Sequence, residues 1–162
     1  MSKVILYMAI SSDGYIAGPN DETPWSDAEW KAFREFVKSC DCVLLGSRTY
    51  EIMRKNNEFI DGPQYLVVTS NESLDTGDFQ KITIKAAGDM PKVGKVGVIG
   101  GGELNGRLAD LGIFDEVILD VEPIELHSGK KLFGNHQPLN MKLISESVLS
   151  NGVTIQKHYQ VI

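Results

Sequence analysis

The sequence predicts an α/β layered fold whose sheet is mostly parallel and ends in an antiparallel hairpin. Three observations predict it. Short, almost wholly apolar runs alternate with amphipathic stretches over roughly two thirds of the chain, the pattern of covered strands joined by helices. Ser150-Asn151-Gly152 separates two strand-like stretches, Met141 to Leu149 and Val153 to Val161, and Asn-Gly is the strongest short-range hairpin signal. Gly100-Gly101-Gly102 lies between the apolar run Val96 to Ile99 and a helical segment, Glu103 to Leu111. Glycines at a strand-to-helix junction let backbone approach a ligand closely, and the helix that follows offers free N–H groups to an anion, here a diphosphate.

Each element has its own signal. Val4 to Ile10 is a buried strand that stops at Ser11-Ser12-Asp13-Gly14. A loop with Gly18, Pro19, Asn20 and Pro24 leads to Ser26-Asp27-Ala28-Glu29. That is a capping box, in which Ser26 caps a helix and Glu29 reaches back. Trp30, Phe33, Phe36, Val37 and Cys40 give the helix its apolar stripe. Cys42 to Leu45 is a second strand closed by Gly46, and a short helix runs from Ser47 or Arg48 through Met53. Tyr65 to Val68 is a third strand, ending at Thr69-Ser70-Asn71. Lys81 to Lys85 alternates as a half-exposed strand, and Lys95 to Ile99 and Glu116 to Val121 complete the set. With no repeat, linker or low-complexity segment, residues 1–162 are expected to form a single domain.

Composition narrows the function classes. The 162 residues are 42% hydrophobic and 23% charged, ordinary for a globular protein. A formal net charge of −6 without a basic run argues against a nucleic-acid or anionic-membrane surface. Cys40 and Cys42 read as buried free thiols of a reducing compartment. His127, His136 and His158 are scattered and make no ligand spacing, so no metal is expected. The chain opens on a strand instead of a signal peptide and has no membrane-spanning run, so a cytoplasmic location is the expectation.

Several pieces occur together and in order. They are Ala9 through Ala17, Pro24-Trp25 before a helix, Leu44-Leu45-Gly46-Ser47-Arg48-Thr49-Tyr50-Glu51, Val67-Val68-Thr69-Ser70 and Val98 to Gly102. Gly112 to Val117 follows, then Pro123 and Ser128-Gly129-Lys130-Lys131-Leu132-Phe133. This set resembles the dihydrofolate reductase superfamily, and within it the bacterial proteins similar to the reductase domain of riboflavin biosynthesis. The resemblance covers nearly the whole chain. It implies a three-layer α/β/α fold and NADPH held in an extended pose over the sheet, with NADH not excluded.

The resemblance also implies site residues. Ala9 and Ile16 would flank the nicotinamide. Gly46, Ser47, Arg48 and Thr49 would meet the diphosphate and the adenosine phosphate. Thr69, Ser70 and Asn71 would lie along the adenosine end, and Gly100, Gly101, Gly102, Glu103 and Leu104 would cradle the diphosphate from the other side. Tyr7, Trp25, Trp30, Phe33 and Tyr50 would wall the substrate pocket. Relatives of the riboflavin type pair through edge strands, so a homodimer through the hairpin bearing Ile144, Val148, Val153 and Ile155 is also implied.

The chain departs from the family pattern at several positions. Ser47 stands where many relatives carry an arginine directly after the glycine, and Arg48 comes one residue later. One position along a helix swings a side chain by about 100°, which loosens the case for NADPH over NADH. Glu103 replaces a residue that is basic in some folate enzymes. Lys85 to Pro91 leaves room for about one turn where relatives often have a helix. The carboxylate that folate reductases carry on the first helix falls here, counted without gaps, on Trp30. The remaining proton sources are Asp27, which also suits the helix dipole, and Asp120, which replaces a threonine usual in folate enzymes, while Glu29, just before Trp30, is read as the capping-box acid. Asp120 must be paired or protonated if buried, and a bound water is the third option. Asp13 shapes the Asp-Gly turn beside the nicotinamide.

Three functional readings follow. The first is an NAD(P)H-dependent reductase passing hydride to a C=N or C=O carbon of a small heterocycle of the pteridine or pyrimidine type. The second is a true dihydrofolate reductase, against which Trp30 argues. The third is a non-catalytic nucleotide-binding module that kept the fold.

Overall fold

The computed structural model describes residues 2–90 and 94–162; Pro91, at the end of the expected short turn, lies outside them. In chain order the elements are β1 (Lys3–Ser11), β2 (Tyr15–Ala17), α1 (Asp27–Ser39), β3 (Cys42–Gly46), α2 (Ser47–Lys55), β4 (Gln64–Val68), β5 (Gln80–Ile82), α3 (Ile84–Asp89), β6 (Lys95–Val98), α4 (Gly102–Asp110), β7 (Glu116–Glu122), β8 (Lys130–Lys131), β9 (Met141–Val148) and β10 (Ile155–Val161). Eight strands form one sheet in the order β5-β4-β3-β6-β1-β7-β10-β9. The pairs from β5 through β7 are parallel, and β10 and β9 close the edge antiparallel, as the Asn151-Gly152 signal requires.

Side-chain alternation in β1 divides the core between the two faces of the sheet. Val4 and Leu6 pack with Leu104 and Leu108 of α4 and Ala87 of α3. Ile5 and Tyr7 point the other way and pack with Phe36 and Val37 of α1 and Tyr50 and Met53 of α2. The period of two thus builds the three-layer α/β/α arrangement from a nearly continuous apolar strand.

The structure corrects two local expectations. The strand read over Lys81 to Lys85 ends at Ile82, because the Thr83 hydroxyl accepts the Ala86 N–H at 3.1 Å and caps α3. The segment before the strand that leads into the triple glycine is therefore a six-residue helix. The small sheet β2–β8, with Tyr15 opposite Lys131 and Ala17 opposite Lys130, carried no readable alternation because both strands are so short. Cys40 and Cys42 are buried free thiols, and burial pushes both up to about 11.

Candidate active site

The C-terminal ends of the parallel strands open onto one cleft, the usual ligand position in such sheets. β3 ends at Gly46, which starts α2; β6 runs into the glycines that start α4. The two turns touch. The Gly46 N–H donates to the Gly100 carbonyl at 2.8 Å, and a Cβ on Gly46 would sit 3.8 Å from the Leu104 Cβ. The Gly100–Gly101 peptide bond is cis. A Cβ on Gly102 would run into the Lys131 carbonyl, so glycine is what lets the 128–134 segment close against α4. Two helix N-termini therefore open side by side on a cleft of about 770 Å³, inside the range of small-molecule and cofactor sites.

The cleft runs from β1 to β4. Tyr7 and Ala9 line it on β1, with Ile16, Trp25, Trp30 and Phe33 nearby. Ser47, Arg48 and Thr49 of α2 and Gly101 to Leu104 line its middle, and Thr69 and Ser70 its β4 end. Three interstrand spacings separate β1 from β4, about 14 Å.

Five expected site residues lie off the cleft wall. Tyr50 is turned roughly 100° from Thr49 on α2 and packs on Phe59 and Phe79, ring centroids 5.6 and 5.9 Å away. It is a core residue and does not wall the pocket. Asn71 turns back on its own loop, where its side-chain oxygen accepts the Ser73 N–H at 3.1 Å. Gly100 faces Met8 and lends its carbonyl to Gly46. Asp27 is exposed in the first turn of α1. Asp120 is fully buried behind the wall.

The acid on the cleft is Glu29. Ser26 caps α1 as expected, accepting the Glu29 N–H at 3.2 Å. The reciprocal half of the capping box does not form. The Ser26 N–H donates instead to Glu122 at 2.6 Å, and Glu122 also accepts from the Ser26 hydroxyl at 3.0 Å and from the Thr154 hydroxyl. Glu29 is released to point inward, where it is 2% exposed and lines the cleft. Its carboxyl hydrogen-bonds to Asp120, which also accepts from the Tyr7 hydroxyl and from Gln156 Nε2 at 2.9 Å. Burial, then the charges of Asp120 and Glu122, push Glu29 up to about 8. Burial also raises Asp120, opposed by its hydrogen bonds to Tyr7, Gln156 and Glu29. Glu29 is thus the proton-bearing member of the pair at neutral pH, and Asp120 the acceptor.

Charged groups at the rim are largely paired. Arg48 Nε donates to Asp21 at 2.7 Å, and its Nη2 bonds the same oxygen. His136 bridges Glu103 at 3.2 Å and Asp110 at 2.6 Å, and these partners, Asp110 first, raise its pKa. Asp13 accepts from the Ser11 hydroxyl at 2.6 Å and from the N–H groups of Leu126 and His127, which together pull it down to about 2. It ties the β1–β2 turn to the segment leading into β8.

No family model matches the chain. Two Bacillus subtilis (strain 168) proteins, both described as uncharacterized, are similar along nearly their whole length. YyaP is 28% identical over 172 residues, covering 93% of this chain and 91% of its own. YwjB is 29% identical over 171 residues, covering 97% of each. Among solved structures, a pyrimidine reductase-like protein from Corynebacterium diphtheriae superposes with a TM-score of 0.79 at 16% identity, covering 99% of this chain and 92% of its own. A dihydrofolate reductase from Enterococcus faecalis, complexed with NADP(H) and RAB-propyl, gives 0.74 at 16% identity, covering 98% and 96%. The fold is that of the dihydrofolate reductases. A protein assigned to riboflavin biosynthesis in Shewanella sp. PV-4 shares it, with a TM-score of 0.76 at 19% identity over 100% of this chain and 99% of its own.

Within this dihydrofolate-reductase-like fold, the local pattern assigned Glu29 to the capping box, and Asp21 and Arg107 were not expected at the cleft. The signal for Glu29 was present: Glu29, Phe33, Phe36, Val37 and Cys40 lie on one stripe at helical spacing, so the buried face of α1 begins at the acid. Asp21 and Arg107 had no such signal, because loop closure and a tertiary cleft place them.

Proposed function

We propose that this chain is a pyridine-nucleotide-dependent reductase acting on a small planar heterocycle of the pteridine or pyrimidine type, working in the cytoplasm. The observation that carries the reading is the pair of helix openings, at Ser47 and Gly102, side by side on a cleft that ends at the buried carboxyl of Glu29. Two N-termini supply backbone donors and positive dipole ends for a diphosphate without needing a lysine. The cleft volume and its reach of about 14 Å across four strands suit an extended dinucleotide. The NADP(H) named with the Enterococcus faecalis reductase supports the same cofactor class.

Bound NADPH would supply a hydride from its nicotinamide. The chain supplies the rest. Trp25, Trp30 and Phe33 offer aromatic surface to a flat ring, with Trp30 and Phe33 edge-on at 5.8 Å. Glu29 holds a proton at a carboxyl oxygen on the cleft wall and delivers it to the heteroatom beside the carbon being reduced. Asp120 positions Glu29 and keeps it protonated, while Tyr7 and Gln156 hold Asp120. The apolar wall excludes water from the reacting atoms.

Thermal melting with NADPH and with NADH tests the reading. Nucleotide at about 100 times its Kd stabilises by about 2.7 kcal/mol, a rise of roughly 5–10 °C for a chain of this size. No rise with either nucleotide at millimolar concentration rejects it.

A further inference from the structure

We propose that Arg107, and not Arg48, reads the ribose phosphate that distinguishes NADPH from NADH. The inference rests on the reductase reading and adds the residue that sets its cofactor preference.

Arg48 is already engaged. Two of its guanidinium nitrogens bond one oxygen of Asp21, and Asp21 itself lines the cleft. A phosphate arriving there must first displace the Asp21 carboxylate from both of these nitrogens. Arg107 is different. It lies one turn beyond Glu103 on α4, is exposed, and has no ion pair among the described residues.

Its position along the cleft is fixed by its neighbours. Arg107 lines the cleft and also a smaller adjoining cavity, and Ile84 lines both. Ile84 starts α3 directly after β5, the strand next to β4. Arg107 therefore stands at the β4 end, with Thr69 and Ser70, and farthest from Tyr7 and Glu29 at the β1 end. An extended dinucleotide with its nicotinamide beside Tyr7 puts its adenosine at that end.

The competing charges are paired: Lys85 and Asp89, which line the smaller cavity with Arg107, hold each other at 3.2 Å. Glu103, which would repel a phosphate, is drawn to His136 at 3.2 Å, and the other imidazole nitrogen meets Asp110 at 2.6 Å. Lys130 and Lys131 line the cleft without ion pairs among the described residues, but β8 pairs with Tyr15 and Ala17 and packs at Gly102, the start of α4, more than a turn before Arg107. Arg107 is left as the free fork-shaped donor at the adenosine end, with the Ser70 hydroxyl as a second donor on the same wall.

The test is calorimetric titration of the full-length wild type, Arg107→Gln, Arg107→Lys and Arg48→Gln with NADPH, NADH and adenosine 2′,5′-bisphosphate. The wild type is expected to prefer NADPH. Arg107→Gln should lose about tenfold or more in affinity for NADPH and for the bisphosphate while NADH stays within about twofold, and Arg107→Lys should recover part of the loss. Arg48→Gln should leave the NADPH-to-NADH ratio in place. An unchanged melting temperature for Arg107→Gln verifies that its fold is intact. Equal affinity of the wild type for both nucleotides overturns the inference, as does a ratio unmoved in Arg107→Gln or collapsed in Arg48→Gln. If the wild type binds none of the three, the reductase reading itself falls.

Discussion

Glu29 and Asp120 share a hydrogen bond between their carboxyls in a setting where both side chains are almost wholly buried. Two carboxyls so close resist ionising together, and the helix acid keeps the proton because Tyr7 and Gln156 already stabilise charge on Asp120. That asymmetry gives the cleft a proton donor at neutral pH and makes its behaviour measurable without knowing the substrate.

Stability should fall as pH rises across this titration. The folded chain retains the Glu29 proton up to about 8, whereas the unfolded chain has released it near 4.5. Between those values the folded state binds the extra proton, so stability decreases with rising pH. Replacing Glu29 with glutamine removes that slope. From pH 5 to 8.5 the wild type should lose at least about 1 kcal/mol more than Glu29→Gln, or roughly 2–4 °C in melting temperature. Parallel melting curves would show that Glu29 is not held protonated.

Asp120 should control where Glu29 titrates. Asp120→Asn keeps a side-chain oxygen for Tyr7 and removes the neighbouring charge, so the Glu29 midpoint should move down toward the ordinary carboxyl range. Trp25 and Trp30 line the same cleft and report the titration by fluorescence. Asp120→Ala should in addition cost about 1–3 kcal/mol for each buried partner left unpaired. A midpoint that does not move in Asp120→Asn would separate the two residues.

Gly102 should tolerate no side chain. An alanine Cβ there meets the Lys131 carbonyl, which is backbone and cannot swing aside. Gly102→Ala should lower stability by about 1–3 kcal/mol and weaken nucleotide binding, because the α4 opening must shift away from α2. Gly112→Ala is the control: unlike Gly102 it has a positive φ, 67°, so alanine strains the backbone there, but nothing lies within 4 Å of a Cβ at that position. Its nucleotide affinity should match the wild type, and equal losses in both variants would reject the role of the cradle.

The outer edge of the sheet should pair with a second copy. β9 is exposed along most of its length, with Leu143, Ile144 and Val148 at 44, 49 and 59% exposure. An open apolar edge strand is a template for another strand. Light scattering after size exclusion should give the dimer mass, and Ile144→Lys should give the monomer. A wild type eluting at the monomer mass refutes the pairing.

The fold was legible because its determinants are local: apolar runs of strand length, capping residues and one Asn-Gly turn. The two helix openings were legible for the same reason, since glycines mark where backbone must come close. The acid was not. Ser26 and Glu29 satisfy the capping-box pattern, and only Glu122, distant in sequence, occupies the Ser26 N–H and turns Glu29 inward. Tyr50 misled in the opposite sense: its neighbour Thr49 faces the cleft, but the aromatic side chain finds Phe59 and Phe79, which nothing near it in the sequence announces. Arg48 was found, but its capture by Asp21 depends on how the intervening loop folds back.

Glu122 also fastens the far end of the chain to that same helix. It grips Ser26 and Thr154 together, and Asn151 reaches across from the last turn to the Ser26 hydroxyl at 3.2 Å. The final hairpin and the acid-bearing helix are thus riveted at one point. A substitution at the 150–154 tip therefore bears on the first turn of α1, the turn that carries Glu29.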